Sequence, residues 1–329
     1  MVRVPSPPPR ISGYDDVRPV VGGNSGEVFL ARSVATGDDV VVRAYGAGRR
    51  RRGPEAPGVH AAVLRRVDGV VPAPRVVELR EPARDGEGAL LVTTVVPGVV
   101  LDDVLKDAAP DLADTLGRSL GEVLGRLTRI PMGGPGDFLD ATLENRIWQV
   151  GSESLVTWLD RWRGRAPLAA LDAHETATLY DACLEADGLL AVAPRACLVH
   201  GDLSPRNVLC DPGTGVVTGL IDWEFAHAGH PMEDAGHQLR ERPGSAFVTA
   251  MLGALDAWLP TPERADVETH RRTARAADLY WIIEIASRLG EGSATHTGHR
   301  ILADIARTGD LLGDLRGQNR ARARSTLAH

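Results

Sequence analysis

The sequence predicts an α+β chain of two lobes: a small β-rich N-terminal lobe over residues 13–96 and a larger helical lobe over residues 97–315. Three observations predict it. Up to residue 96, short apolar runs alternate with glycine and proline turns, the pattern of strands. Beyond Pro97–Gly98, long segments repeat apolar residues at helical spacing. The chain has 329 residues, 43% of them apolar and 25% charged, enough for a sizeable core in one large domain or two modest ones. A small β-lobe set on a larger α-lobe implies a cleft between them, where ligands commonly bind.

Each element follows from local pattern. Residues 1–12 are Pro-rich and read as a mobile arm. Residues 20–45 read as strand, glycine turn, strand, then a third strand after the Gly37–Asp38 turn. Arg49, Arg50, Arg51 and Arg52 form a basic cluster, read as a solvated loop and ended by Gly53–Pro54. A helix is expected over residues 59–67, then strands within 71–79 and 87–96. Over residues 111–130, Leu112, Leu116, Leu120, Val123, Leu124 and Leu127 make one apolar stripe. Asp111 suits the N-terminal end of that helix dipole, and Pro131 stops the helix. Further helices are expected over 152–162, 174–190, 246–259 and 265–289, broken by one β-like segment over 197–221. Trp158, Trp162, Trp258 and Trp281 take largely apolar helical positions and are assigned to core or pocket wall. Residues 316–329 read as a polar tail.

Composition excludes several classes. Three cysteines with no C-x-x-C pair argue against a disulfide scaffold and a structural zinc site. No run of 18 apolar residues reads as a membrane span, and MVRVPSPPPR lacks the apolar stretch of a secretory signal, so a cytoplasmic protein with no membrane partner is expected. The net charge of −7 is uneven: residues 1–93 hold 14 Arg against 11 acids, and the remainder holds 23 bases against 33 acids. Such an acidic C-terminal part disfavours nucleic acid and suits a cationic small molecule. Lys106 is the single lysine against 36 arginines, so any cation on a phosphate is expected to be Arg. His227, His230 and His237 lack an acid or cysteine framework and are assigned to surface or capping positions rather than a transition metal.

The densest chemistry lies in Leu198–Val199–His200–Gly201–Asp202–Leu203–Ser204–Pro205–Arg206–Asn207–Val208–Leu209, followed by Ile221–Asp222–Trp223–Glu224. Residues 207–210 and 216–221 are apolar and joined by a Pro/Gly turn, which predicts a hairpin. Asn207 opens its first strand and Asp222 follows its second, so both emerge at one end, beside the loop bearing Asp202. Hard oxygen ligands of this kind suit magnesium shared with substrate phosphates. The set fits phosphoryl transfer, with Asp202 as the base that orients a hydroxyl and Asn207 and Asp222 as metal ligands. The Asp-x4-Asn spacing is that of kinase catalytic loops.

These paired motifs, H-G-D-L-x-x-x-N-V-L and I-D-W-E, resemble those of the aminoglycoside phosphotransferase and choline kinase superfamily. The resemblance is strongest over residues 198–234 and extends loosely over 15–290. It implies a bilobal protein-kinase-like fold, ATP or GTP as donor, Mg2+ as cofactor, and an alcohol group as acceptor. It implies Asp202 as the catalytic residue, His200 as a structural anchor of its loop, and Asp234, after Gly229–His230–Pro231, as a second structural acid. A phosphate loop would precede Val28, placing Gly23, Ser25 and Gly26 against phosphates, although Val21 stands where its first glycine belongs. Arg43 takes the place of the phosphate-binding lysine in such folds. Its helix acid is missing: His60 holds that position, so either Glu55 reaches Arg43 or the ion pair is absent. Residues 93–98 resemble the inter-lobe linker, with Thr94 and Val96 at the purine edge.

The acceptor is expected beyond Asp202, beside Glu224, Glu233, Glu241, Asp278 and Glu284, carboxylates suited to a polycationic antibiotic of the aminoglycoside or capreomycin–viomycin type. Two alternatives stand beside antibiotic inactivation: a metabolite kinase for choline, homoserine or a sugar amine, and a non-catalytic nucleotide-binding relative. Joint retention of Asp202, Asn207 and Asp222 argues against the last.

Overall fold

The computed structural model describes residues 11–20, 27–45, 53–81, 88–147, 154–192, 195–287 and 292–313. Residues 1–10 of the expected arm, the Arg49 to Arg52 cluster and the tail 316–329 lie outside the described residues. The first part is an antiparallel sheet of strands β1 (Tyr14–Pro19), β2 (Glu27–Ser33), β3 (Asp39–Tyr45), β4 (Val76–Arg80) and β5 (Ala89–Thr94), in the order β1-β2-β3-β5-β4. Alternation along β3 sets its faces. Val40 and Val42 are buried with Ile11, Phe29, Ala31 and Val92 on one side. Ile11, expected in the mobile arm, is thus packed into this lobe. On the other side Tyr45, Ala89 and Leu91 meet Val59, Val63, Leu64 and Val67 of helix α1 (Ala56–Val67). Helix α1 starts three residues earlier than expected, because Pro57 sits in its first turn, where an absent N–H has no partner to lose.

After the linker come β6 (Val99–Val100), α2 (Leu101–Asp107) and α3 (Pro110–Leu127). The α3 stripe is buried as its spacing predicts, at Leu116, Leu120, Val123, Leu124 and Leu127. It packs on α7 (Ala246–Asp256) with the two backbones in close approach. A Cβ at Gly121 would overlap the Met251 carbonyl oxygen, and one at Gly117 the Phe247 carbonyl oxygen. Gly121→Ala is therefore expected to destabilise the protein by ~1–3 kcal/mol in denaturant unfolding, since backbone cannot rotate away as a side chain can and helix propensity favours Ala by only ~1 kcal/mol. An unchanged or raised midpoint would show that α3 and α7 slide apart freely.

Beyond residue 97 there is more β-structure than the single segment expected. Strands β7 (Pro131–Met132), β8 (Gly136–Phe138), β9 (Asn145–Ile147), β10 (Ala196–Val199) and β13 (His227–Gly229) form one antiparallel sheet, β7-β10-β13-β8-β9. The hairpin β11 (Val208–Asp211) and β12 (Val216–Leu220) pairs with β6 in another. Strands of two to five residues are too short for a period, and β10 pairs with β7 and β13 across long stretches of sequence. A second core gathers α4 (Leu155–Trp162), α5 (Ala173–Leu190), α8 (Val267–Ser287) and α9 (Ser293–Thr308) around Leu159, Leu179, Ile283 and Ile305. The reading of the sequence missed α2, α9 and the short α6 (Glu233–Gln238). Among the described residues no helix is long and apolar enough to cross a membrane.

Candidate active site

The catalytic-type loop is held from three sides. Gly201 has φ +77°, a left-handed conformation that suits glycine, and turns the chain out of β10. The backbone N–H groups of His200 and Gly201 donate to the two carboxylate oxygens of Asp234, at 2.7 and 3.0 Å. His200 Nε2 donates to the Ile221 carbonyl at 2.8 Å, and its Nδ1 accepts weakly from the Asp202 N–H at 3.4 Å. Burial pushes the His200 imidazole down to about 4, so it stays neutral and keeps that tautomer. From α6, His237 Nδ1 accepts the Leu203 N–H at 3.0 Å, and Gln238 Nε2 donates to the Leu203 carbonyl at 2.5 Å.

At the hairpin's open end the Ile221 N–H donates to the Asn207 carbonyl at 2.9 Å, one step beyond the Val208–Leu220 pair. Asn207 Nδ2 donates to the Asp202 carbonyl at 2.7 Å and to Asp202 Oδ2 at 3.3 Å. Burial raises the Asp202 carboxyl to about 6; the charge of Arg240 opposes the shift and that of Asp222 adds to it. Asp222 has φ 67° and ψ 55°, a left-handed backbone that Asp tolerates. Trp223 is buried beside it, with Nε1 donating to the Leu220 carbonyl at 2.8 Å and its ring 4.6 Å from that of His200. With Trp223 turned inward, its two neighbours reach out to Arg43 on β3. Arg43 Nη2 donates to Asp222 Oδ1 at 2.5 Å, and Nη1 to Glu224 Oε2 at 2.8 Å.

The structure thus brings Asp202, Asn207, Asp222 and Arg43 together and places the other predicted residues variously. Gly23, Ser25 and Gly26 lie outside the described residues. Thr94 gives its N–H to the Arg75 carbonyl at 2.9 Å, and its Oγ1 accepts the Arg75 N–H at 3.0 Å. Val96 packs on Gly219, where a Cβ would overlap it. The open question about Arg43 is answered against Glu55, which is exposed, and His60 accepts or donates to the Tyr45 hydroxyl at 2.8 Å.

The five expected acceptor carboxylates do not form one acidic wall. Glu224 binds Arg43. Glu233 is buried, 3.0 Å from His227 Nε2 and accepting from Trp281 Nε1 at 2.8 Å. Asp278 is fully buried on the inner side of α8 and takes both arms of Arg240, at 2.9 and 2.5 Å. Glu241 is exposed and accepts from Thr297 Oγ1 at 2.9 Å, and Glu284 is half-buried. A count of acids on helices says nothing about which face they occupy. Arg240 escaped sequence reading, since nothing local marks it among 36 arginines. His227 and His237 serve buried contacts, and His230 Nδ1 accepts the Met232 N–H at 3.1 Å.

The donor set fits a hard divalent ion. Asn207 has its amide nitrogen turned to Asp202, which leaves the amide oxygen as the end that would meet a cation, and Asp222 follows the returning strand at the same end of the hairpin. Two oxygen ligands suffice for magnesium when phosphates and water complete its shell. Among the described residues no group of three or more His, Cys, Asp or Glu is arranged to hold a metal by itself.

A sequence model of the phosphotransferase enzyme family (APH) matches residues 16–267. No curated protein sequence matches the chain. Among solved structures, the GDP and kanamycin complex of APH(2")-IIia superposes with a TM-score of 0.66 at 19% identity, covering 89% of this chain and 94% of that one. A thermostable mutant of APH(4)-Ia, in ternary complex with ADP and hygromycin B, gives 0.59 at 16% identity over 92% and 95%. The ethanolamine kinase of Plasmodium vivax gives 0.57 at 13% identity over 91% and 85%. At these identities the likeness is one of fold.

Proposed function

Because the chain belongs to the phosphotransferase enzyme family, we propose that it moves the γ-phosphate of ATP or GTP to a hydroxyl of a small cationic molecule. The observation that carries this reading is the convergence of Asp202, Asn207, Asp222 and Arg43 where the β3 strand faces the open end of the β11–β12 hairpin. Asp202 accepts the hydrogen bond of the acceptor hydroxyl, aims its oxygen at the γ-phosphorus and takes its proton as the new O–P bond forms and the bond from the γ-phosphorus to the β-phosphate oxygen breaks, releasing ADP or GDP. Asn207 steadies that carboxylate through Nδ2. Arg43 binds phosphate oxygens with a planar fork. Asn207 Oδ1 and Asp222 would hold magnesium, which would neutralise the charge that gathers on the phosphates.

We place the acceptor among cationic antibiotics, aminoglycosides or capreomycin–viomycin peptides, and the protein in the cytoplasm, where the nucleotide is abundant. The excess of 33 acids over 23 bases beyond residue 93 supports a cationic acceptor, and the kanamycin and hygromycin B complexes show that this fold holds such molecules. A second reading, a kinase for a small amino alcohol, draws support from the burial of Glu233 and Asp278, which leaves fewer acids for a polycation, and from the ethanolamine kinase of like fold. A screen for ADP or GDP release, with ATP and GTP respectively, across both acceptor classes separates them. Turnover with amino alcohols alone would overturn the antibiotic reading; no acceptor-dependent release of either diphosphate with either class would overturn the transfer reading itself.

The pH profile follows from Asp202. A base must be ionised to act, and burial holds this carboxyl at about 6. Turnover per bound acceptor is expected to fall roughly tenfold per pH unit below about 6 and to level off above it. A profile flat from pH 5 to 8 would remove Asp202 from the rate-determining proton transfer.

A further inference from the structure

Among the described residues, the acids that bond Arg43 come from across the cleft. His60, at the α1 position where the family resemblance implies an acid, bonds the Tyr45 hydroxyl instead. Asp222 and Glu224 take separate arms of the guanidinium, one on Nη2 and one on Nη1. They flank Trp223, whose burial and bond to the Leu220 carbonyl fix the turn and so aim both acids at one cation. All three partners are shielded: the Arg43, Asp222 and Glu224 side chains keep 12%, 26% and 18% of their exposure. Charge-assisted hydrogen bonds are strongest in such surroundings.

The two acids differ in what else is asked of them. Asp222 is the carboxylate that the proposed function turns to the cation on the phosphates, so its hold on Arg43 competes with nucleotide. Glu224 is not, so its grip on Nη1 would persist when nucleotide and cation draw Asp222 away from Nη2. We infer that Glu224 is a positioning residue which anchors Arg43 for the nucleotide phosphates, doing from the helical lobe what a helix acid does from the β-lobe. The inference rests on the phosphotransferase reading of this site. It also takes Glu224 Oε2 out of the acceptor-binding group, since that oxygen accepts from Arg43 Nη1 at 2.8 Å.

The test is a binding cycle that needs no acceptor. Fluorescence anisotropy of mant-ATP with Mg2+ gives Kd for the wild-type chain, Glu224→Gln, Arg43→Ala and the double variant, with mant-adenosine as a probe lacking phosphates. Glu224→Gln is expected to weaken mant-ATP about 10-fold, the scale of a hydrogen bond to a charged group. In the Arg43→Ala background the same exchange is expected to change Kd by less than about twofold, because the guanidinium through which it would act on the phosphates is gone. Mant-adenosine affinity stays level across the set. Equal weakening in both backgrounds, an unchanged mant-ATP Kd, or an equal loss of mant-adenosine affinity would each overturn the inference while leaving phosphotransfer intact. The cycle is repeated with Glu224→Asp, which keeps the charge on a shorter arm, so that a folding defect in one exchange leaves the other to decide. A wild-type chain that binds neither mant-ATP nor mant-GTP would overturn the phosphotransferase reading, and this inference with it.

Discussion

Asp202→Asn is expected to lower turnover roughly 10²–10⁴-fold and to leave the chain folded with its nucleotide affinity nearly intact. The exchange keeps the shape of the side chain and removes its capacity to take a proton. The loop does not depend on that carboxylate for its course. Its anchors are the Asp234 carboxylate under His200 and Gly201, and the His237 and Gln238 side chains on Leu203. The strongest bond of Asn207 in the loop goes to the Asp202 backbone carbonyl at 2.7 Å, which an Asn at 202 retains. Burial also holds the Asp202 carboxyl up at about 6, so its ionised form is disfavoured by the fold. A neutral amide at this position is therefore expected to keep or raise the melting temperature at pH 7. ADP release, mant-ATP anisotropy and thermal melting check the three parts. Turnover within about tenfold of wild type would mean that another group orients the acceptor.

Gly201→Ala is expected to abolish turnover and to destabilise the chain by ~2–5 kcal/mol, the sum of left-handed backbone strain and overpacking. At φ +77° an L side chain is strained before it meets anything. A Cβ here would also overlap the Phe225 carbonyl oxygen and stand 2.7 Å from His227 Nδ1. Neither obstacle is the loose end of a flexible chain. The β10–β13 pairing fixes His227 against the strand that leads into the loop, and the Phe225 carbonyl lies 2.9 Å from His227 Nδ1. Relief requires the loop to move away from β13, which strips the Asp234 bonds from the two N–H groups beneath Asp202. Denaturant unfolding and ADP release measure the two losses. A variant with wild-type stability would show that the loop can adopt a different turn.

Much of this arrangement is legible in one dimension. The α3 stripe from Leu116 to Leu127 and the pattern of residues 207–221 each declare an element by spacing alone. Since the hairpin returns on itself, its two ends meet, and that geometry brings Asn207 beside Asp222 without knowledge of the rest of the chain. The short strands β7, β8, β9 and β13 are silent in the sequence, because two or three residues carry no period. The site divides in the same way. Asp202, Asn207 and Asp222 stand in a local motif, whereas Arg240 beside Asp202 and Glu224 on Arg43 are matters of packing.

Spacing within short windows was thus enough for the two-lobed α+β plan, the hairpin and the oxygen-bearing side chains at its mouth, because backbone periodicity and turn chemistry act over a few residues. Which acid meets which cation lay beyond it. Asp278 was turned into the interior by the burial of Leu279 and Ile282 on α8, Glu233 by that of Met232 and Ala235 around it, and Glu224 across the cleft by that of Trp223 beside the hairpin. Desolvation compels a buried charge to find a partner, and the partner is set by contacts some 40 to 180 residues apart, as between Arg240 and Asp278 or Arg43 and Glu224.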